Sequence, residues 1–141
     1  MTAKEFLSQY TDCLAEIETL SEEVVRLRSL AMKVTVAFES DGSAAGSRST
    51  DKLERCVDKI MEAEEKMNGR ISELSSIRQT VFDTIMLVPD GKLRTLLLMR
   101  YISGKPFEGI ATKMGYTYNH IVKNIHPEAL QEVDRILKQS I

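Results

Sequence analysis

The stretch 113–130, "KMGYTYNHIVKNIHPEAL", decides how the last third of this 141-residue chain folds. Gly115 suits the left-handed position just past a helix end. Thr117 is a good N-cap. Ile121, Val122 and Ile125 then recur at helical spacing. Pro127 falls where that helix would run on. Inside a helix, proline removes a hydrogen bond and clashes with the carbonyl four residues back, here Lys123, at a cost of about 3 kcal/mol or a kink. The expectation is a short helix whose working part is Thr117–Asn124. A bend at His126–Pro127 follows, with Glu128–Leu137 as a separate or kinked final helix.

The residues before it supply the companion elements. Pro89 and Gly91 interrupt what precedes. Leu93, Leu96, Leu97, Arg100 and Tyr101 make a short amphipathic helix, ended by Ser103-Gly104. Pro106 suits the start of the next helix, which carries Phe107, Ile110, Ala111 and Met114 at helical spacing. Two helices that cross at Ala111 need a small side chain there. A short helix, a glycine turn and a capped helix are the layout of a helix-turn-helix.

Residues 1–90 read differently. Tyr10, Ile17, Val24, Ala31 and Phe38 fall every seventh residue, and so do Phe6, Cys13, Leu20, Leu27 and Val34. The two series are offset by three or four, which is an a/d heptad pattern. Thr2 and Glu5 have capping-box spacing, so the first helix is expected from about 3 to about 38. "ESDGSAAGSRSTD" then reads as a flexible loop at about 39–50, with Ser49 or Thr50 capping the next helix. Leu53, Ile60, Met67, Leu74, Val81 and Val88 form the second series, in phase across Gly69, so helix is expected to continue through Asn68-Gly69. Two such helices fold back into a long antiparallel, coiled-coil-like hairpin that pairs positions summing to about 90, Leu27 with Ala63 among them. Leu7, Leu14, Val25, Leu30 and Met32 are surplus to that seam and need a further partner, either the C-terminal module or a second chain, with a homodimer the favoured choice.

The expected fold is thus all-α. A hairpin at 1–90 serves oligomerisation or partner docking, and a three-to-four-helix helix-turn-helix module occupies 91–141. Charge divides along the same line. Residues 1–91 carry 11 Lys/Arg against 17 Asp/Glu, a balance of −6, and residues 92–141 carry 8 against 4, a balance of +4. A basic half beside an acidic one points to an anionic partner.

Several classes lack their signals. No apolar run approaches a membrane span or an export signal. Cys13 and Cys56 have no close Cys or His partner, read as buried thiols rather than metal ligands, and imply the cytoplasm. The acidic residues of 16–23 and 62–65 alternate with bases on polar faces, and no phosphate loop, nucleophile elbow or Glu-x-x-His set appears. The chain is read as a non-enzyme without metal or cofactor.

Met99-Arg100-Tyr101, Glu108-Gly109-Ile110-Ala111, Met114-Gly115 and Ala129-Leu130 carry a resemblance. Over about 92–137 the chain resembles region four of bacterial sigma factors, the module that recognises the upstream promoter element. As a whole it is similar to small phage and prophage proteins that carry this module. The resemblance implies a transcriptional regulator that binds double-stranded DNA, with RNA polymerase as a possible co-partner. The chain departs from the pattern at Gly109, at Pro127, and by one extra residue between Gly115 and Ala129-Leu130.

A recognition helix points Tyr118, Asn119, His120, Lys123 and Asn124 toward base edges. Lys105, Lys113, Tyr116 and Thr117 suit phosphates, with Arg100 a weaker candidate. His126 reads better as a histidine satisfied by the backbone. So few cations predict weak binding by one copy, and therefore a dimer or an assisting polymerase. The first ninety residues hold four aromatics, Phe6, Tyr10, Phe38 and Phe82, too few for the base-trapping module of a complete sigma factor. Two other classes compete: the DNA-recognition subunit of a phage packaging machine, of the small-terminase kind, and a helical adaptor without DNA binding.

Overall fold

The computed structural model describes residues 1–41 and 46–139, with side chains for 1–37 and 50–139. The protein is all-α, and no strand occurs among the described residues. Two long helices, α1 (Ala3–Asp41) and α2 (Gly46–Met86), are followed by the short helices α3 (Gly91–Leu97) and α4 (Phe107–Met114). A third helical stretch begins with α5 (Tyr118–His120) and ends with α6 (His126–Gln139).

Local chemistry explains the boundaries. Thr2 and Glu5 form the capping box: Thr2 N–H donates to Glu5 Oε2 (3.0 Å) and Glu5 N–H to Thr2 Oγ1 (3.2 Å). α2 runs through Gly69 without a break, where a Cβ would meet nothing within 4 Å. The loop expected at 39–50 is too long. Residues 39–41 and 46–50 are helical, so Ser49 and Thr50 lie inside α2 rather than capping it. Serine and threonine cost a helix only a few tenths of a kcal/mol each, roughly, and no proline falls there to stop it. Residues 42–45 and the Phe38 side chain lie outside the described residues. Asp90 caps α3 by accepting from Lys92 N–H (2.8 Å). Arg94 Nη1 donates to the carbonyls of Val88 (2.8 Å) and Pro89 (3.0 Å), fixing the corner before it.

Two π-helical turns were not legible in the apolar spacing. One, Leu98–Ile102, continues α3 and closes with Ser103 N–H on Leu98 O (2.9 Å). The other, Ile121–Ile125, joins α5 to α6 and closes with His126 N–H on Ile121 O. Of the two forms expected at Pro127, a separate or a kinked final helix, the separate one is corrected: the helical backbone is continuous from Tyr118 to Gln139. The hydrogen-bond ladder has already shifted to five-residue spacing when the proline arrives. Its missing N–H and bulky ring thus meet a turn wound wider than an α-turn.

Contacts divide the chain into two compact units, one of Leu14–Glu73 and one of Met1–Cys13 with Leu74–Ile141. In the first, contacts climb α1 as they descend α2. Arg70 Nε donates to Glu16 Oε2 (3.0 Å), Val24 and Leu27 share a cluster with Ile60 and Ala63, and Arg28 pairs with Glu64. Leu27 and Ala63 meet as the heptad register predicts. In the second, Leu7, Val81, Ile85, Leu93, Leu96, Leu97, Ile110, Ile121, Ile125 and Val133 make one buried core. Ala3 N–H donates to Asp134 Oδ1 (3.1 Å), tying the start of α1 to α6. This core crosses the 90/91 line drawn from sequence. Leu7 belongs to it, fully buried and covered by the C-terminal helices, the first of the two alternatives that the sequence left open for it. Cys13 is buried and Cys56 half-buried, both as thiols.

Candidate nucleic-acid interface

The site is assembled at one turn. α4 follows Pro106 in extended conformation (ψ 155°) and ends at Gly115, whose φ of 77° is the left-handed region that favours glycine. Tyr116 N–H then returns to Ala111 O (3.0 Å), satisfying a helix-end carbonyl. Thr117 Oγ1 accepts from His120 N–H (3.1 Å) and starts the next helix. Ile110 and Ala111 on one side, and Ile121 and Ile125 on the other, join the buried core. That burial fixes which residues remain outside.

Tyr118, Asn119, Lys123 and Asn124 are exposed, and His120 is half-buried. Three of the outward side chains hold one another. The Asn124 amide Nδ2 donates to His120 Nδ1 (2.9 Å), which puts the imidazole proton on Nε2. The His120 ring sits 5.3 Å from that of Tyr116. Asn119 and Lys123 hydrogen-bond to nothing among the described residues, so their donors are available on one exposed face.

The residues expected to meet phosphates flank this face in sequence. Lys113 is exposed and Lys105 half-buried. The Lys113 side chain and its charge, then burial, hold the Lys105 pKa below its ordinary value. Neither lysine forms an ion pair among the described residues. An anion placed between them would relieve their repulsion. Tyr116 is exposed, and the exposed Thr117 hydroxyl, though it accepts as a cap, keeps its own proton to donate. Arg100 differs from the expectation that it could reach phosphate. Its guanidinium lies 4.0 Å from the Phe107 ring centroid, and its Nη1 donates to Lys105 O (3.2 Å), so it braces the segment that carries Lys105.

Beneath this surface lies a group that the apolar pattern did not reveal. His126 is buried, 8% exposed, and is satisfied by a side chain rather than the backbone. Its Nε2 lies 2.7 Å from the Tyr101 hydroxyl, the Tyr101 ring stacks on it at 22°, and Phe107 meets it edge-on at 4.9 Å. Burial, then the charges of Arg100 and Lys4, lower its pKa to about 4 from an ordinary 6.5. The folded state thus binds this proton less readily than the unfolded chain. Its contribution to stability is intact above pH 6.5 and is lost as pH falls from 6.5 toward 4. Allowing for solvent screening, the loss is on the order of 2 kcal/mol. Urea midpoints measured at pH 7 and pH 4.5 are expected to fall further for the wild type than for His126→Gln. Equal falls would show that His126 does not carry the effect.

No cluster of His, Cys, Asp and Glu able to hold a metal occurs among the described residues. No helix there is long and apolar enough to cross a membrane. Set against family models, curated proteins and solved structures, the chain matches none of them.

Proposed function

We propose that the protein is a DNA-binding transcriptional regulator of phage or prophage descent. In this reading α4, the Gly115 turn and the helix from Tyr118 act as a helix-turn-helix of the sigma region four kind. α1 and α2 form an antiparallel helical hairpin that dimerises or docks on RNA polymerase. The observation that carries the reading is the exposed face of Asn119 and Lys123 on the helix that Thr117 caps after the left-handed Gly115 turn, with the exposed Lys113 at the end of α4 just before it. The π turn at Ile121–Ile125 adds support, because it can take up the one residue by which this stretch exceeds the sigma pattern.

Asn119 can pair with adenine and Lys123 can donate to guanine, while Lys105 and Lys113 hold the backbone. Two lysines neutralising two phosphates give a salt slope near −1.8 per copy. Affinity is then expected to drop roughly 12-fold between 50 and 200 mM salt. Titration of labelled duplex DNA at a series of salt concentrations tests this. Absence of binding at low salt, or binding indifferent to salt, would remove the proposal.

A further inference from the structure

In the unit of Leu14–Glu73, each long helix leaves apolar side chains uncovered. Val25, Met32 and Val36 on α1, and Val57, Met61 and Ile71 on α2, are between 42% and 67% exposed. Their spacing shows that they form one face. Arg28 and Glu64 join the two helices through an ion pair. Val25 and Met32 stand three before and four after Arg28, so they adjoin it on the helix surface. Met61 stands three before Glu64, and Val57 and Ile71 stand seven either side of it. Both stripes therefore flank the same ion pair on the same side of two helices that run in opposite directions. The exposed apolar area is on the order of 600 Å², at the upper end of what a typical monomer carries in one patch.

The charges at its rim differ between the helices. Around Met32 they are basic, Arg28 and Lys33, and an acid, Glu22, follows only on the far side of Val25. Around Val57 and Met61 they are acidic, Glu54, Asp58 and Glu65. Lys33 and these three acids form no ion pair among the described residues. A two-fold axis parallel to the helices lays the α1 of one copy on the α2 of the other. It does so twice, and it keeps the internal register in which position sums are near 92, as for Arg28 and Glu64. Met32 then faces the second copy's Met61 position, and a basic rim meets an acidic one at both contacts. With its charged rim the face approaches the ~800 Å² per partner of a standard interface.

We infer that this face binds a second copy of the chain, α1 against α2, as a four-helix bundle closed around Met32 and Met61. The inference deepens the dimerisation part of the proposed function and names its surface. Light scattering after size-exclusion chromatography at tens of micromolar is the test. The wild type is expected at twice the chain mass. Met32→Lys alone and Met61→Glu alone are each expected at the single-chain mass, with circular dichroism melts showing both folded. Mixing the two variants in equal amounts is expected to restore the dimer, because each mixed pair sets one lysine against one glutamate and keeps one native contact. A monomeric wild type would overturn the inference and leave the face to another protein. A mixture that stays monomeric while the wild type dimerises would overturn the α1-to-α2 pairing. DNA titration of the same samples reads the other proposal separately: a dimer that ignores DNA sinks only the DNA reading, and a monomer that binds it sinks only this interface.

Discussion

A double variant, Asn119→Ala with Lys123→Ala, is expected to bind its best duplex site about 100-fold more weakly than the wild type. Each residue lies on the exposed face of the helix that Thr117 caps, with no internal hydrogen bond to lose. A good base contact contributes about 1–3 kcal/mol of discrimination, so two contacts together reach roughly two orders of magnitude. Non-specific duplex should lose only a few-fold, through the single lysine charge, and the salt slope at the best site should stay near −1.8, because Lys105 and Lys113 remain. Fluorescence anisotropy on both duplexes at two salt concentrations separates these effects. The melting temperature is the control and should stay put, because neither side chain is in the core. Unchanged affinity for the best site would show that this helix is placed in the wrong register on DNA, whatever the protein's role.

Leu7→Ala is expected to destabilise the unit that holds it by about 3 kcal/mol, within the 2–5 kcal/mol usual for leucine in a close-packed core. Leu7 is fully buried in the same cluster as Ile85, Leu97 and Val133. Phe6 and Tyr10 pack beside it, and the Ala3–Asp134 hydrogen bond holds the helix start in place. The surrounding backbone therefore has little freedom to close over the void. Urea denaturation followed by tyrosine fluorescence measures the loss. A value below about 0.5 kcal/mol, ordinary for a surface change, would mean that Leu7 is not enclosed. Read from heptads alone, Leu7 is covered either by the C-terminal module or by a second chain, so this one substitution, measured at low protein concentration, separates the two.

What the sequence disclosed follows from which forces leave a periodic trace. The capping box of Thr2 and Glu5, the passage of α2 through Gly69, and the meeting of Leu27 with Ala63 all follow from spacing and local chemistry. So do the Gly115 turn and the Thr117 cap. The heptad count left the cover of Leu7 open between the C-terminal module and a second chain, because the residues from 93 onward that share its cluster lie outside both heptad series. It also overextended the loop at 39–50, where small polar residues permit a turn without requiring one. The π turns escaped because they shift hydrogen bonds, not the apolar positions; Pro127 was their nearest sign, and it read as a bend or an end. In the candidate interface, outward placement of Tyr118, Asn119, Lys123 and Asn124 was legible from the burial of Ile121 and Ile125. The Lys105–Lys113 approach and the Tyr101–His126 pair depend on tertiary packing that no local spacing specifies.

The hydrogen bond from Ala3 to Asp134 spans 131 residues of chain, and it makes the core's closure a long-range one. Closing so long a loop in an unstructured chain costs more entropy than any short-range contact in the molecule. The intervening Leu14–Glu73 segment can shorten the path. Once Glu16 meets Arg70, some fifty residues of contour are removed between Cys13 and Leu74, and the remaining closure is short. Prior pairing of the long helices would thus lower the entropic cost of closing the core around Leu7. Substitutions along the seam of Val24, Leu27 and Ala63 are therefore expected to slow refolding of a core to which those residues contribute no atom, which stopped-flow refolding measures.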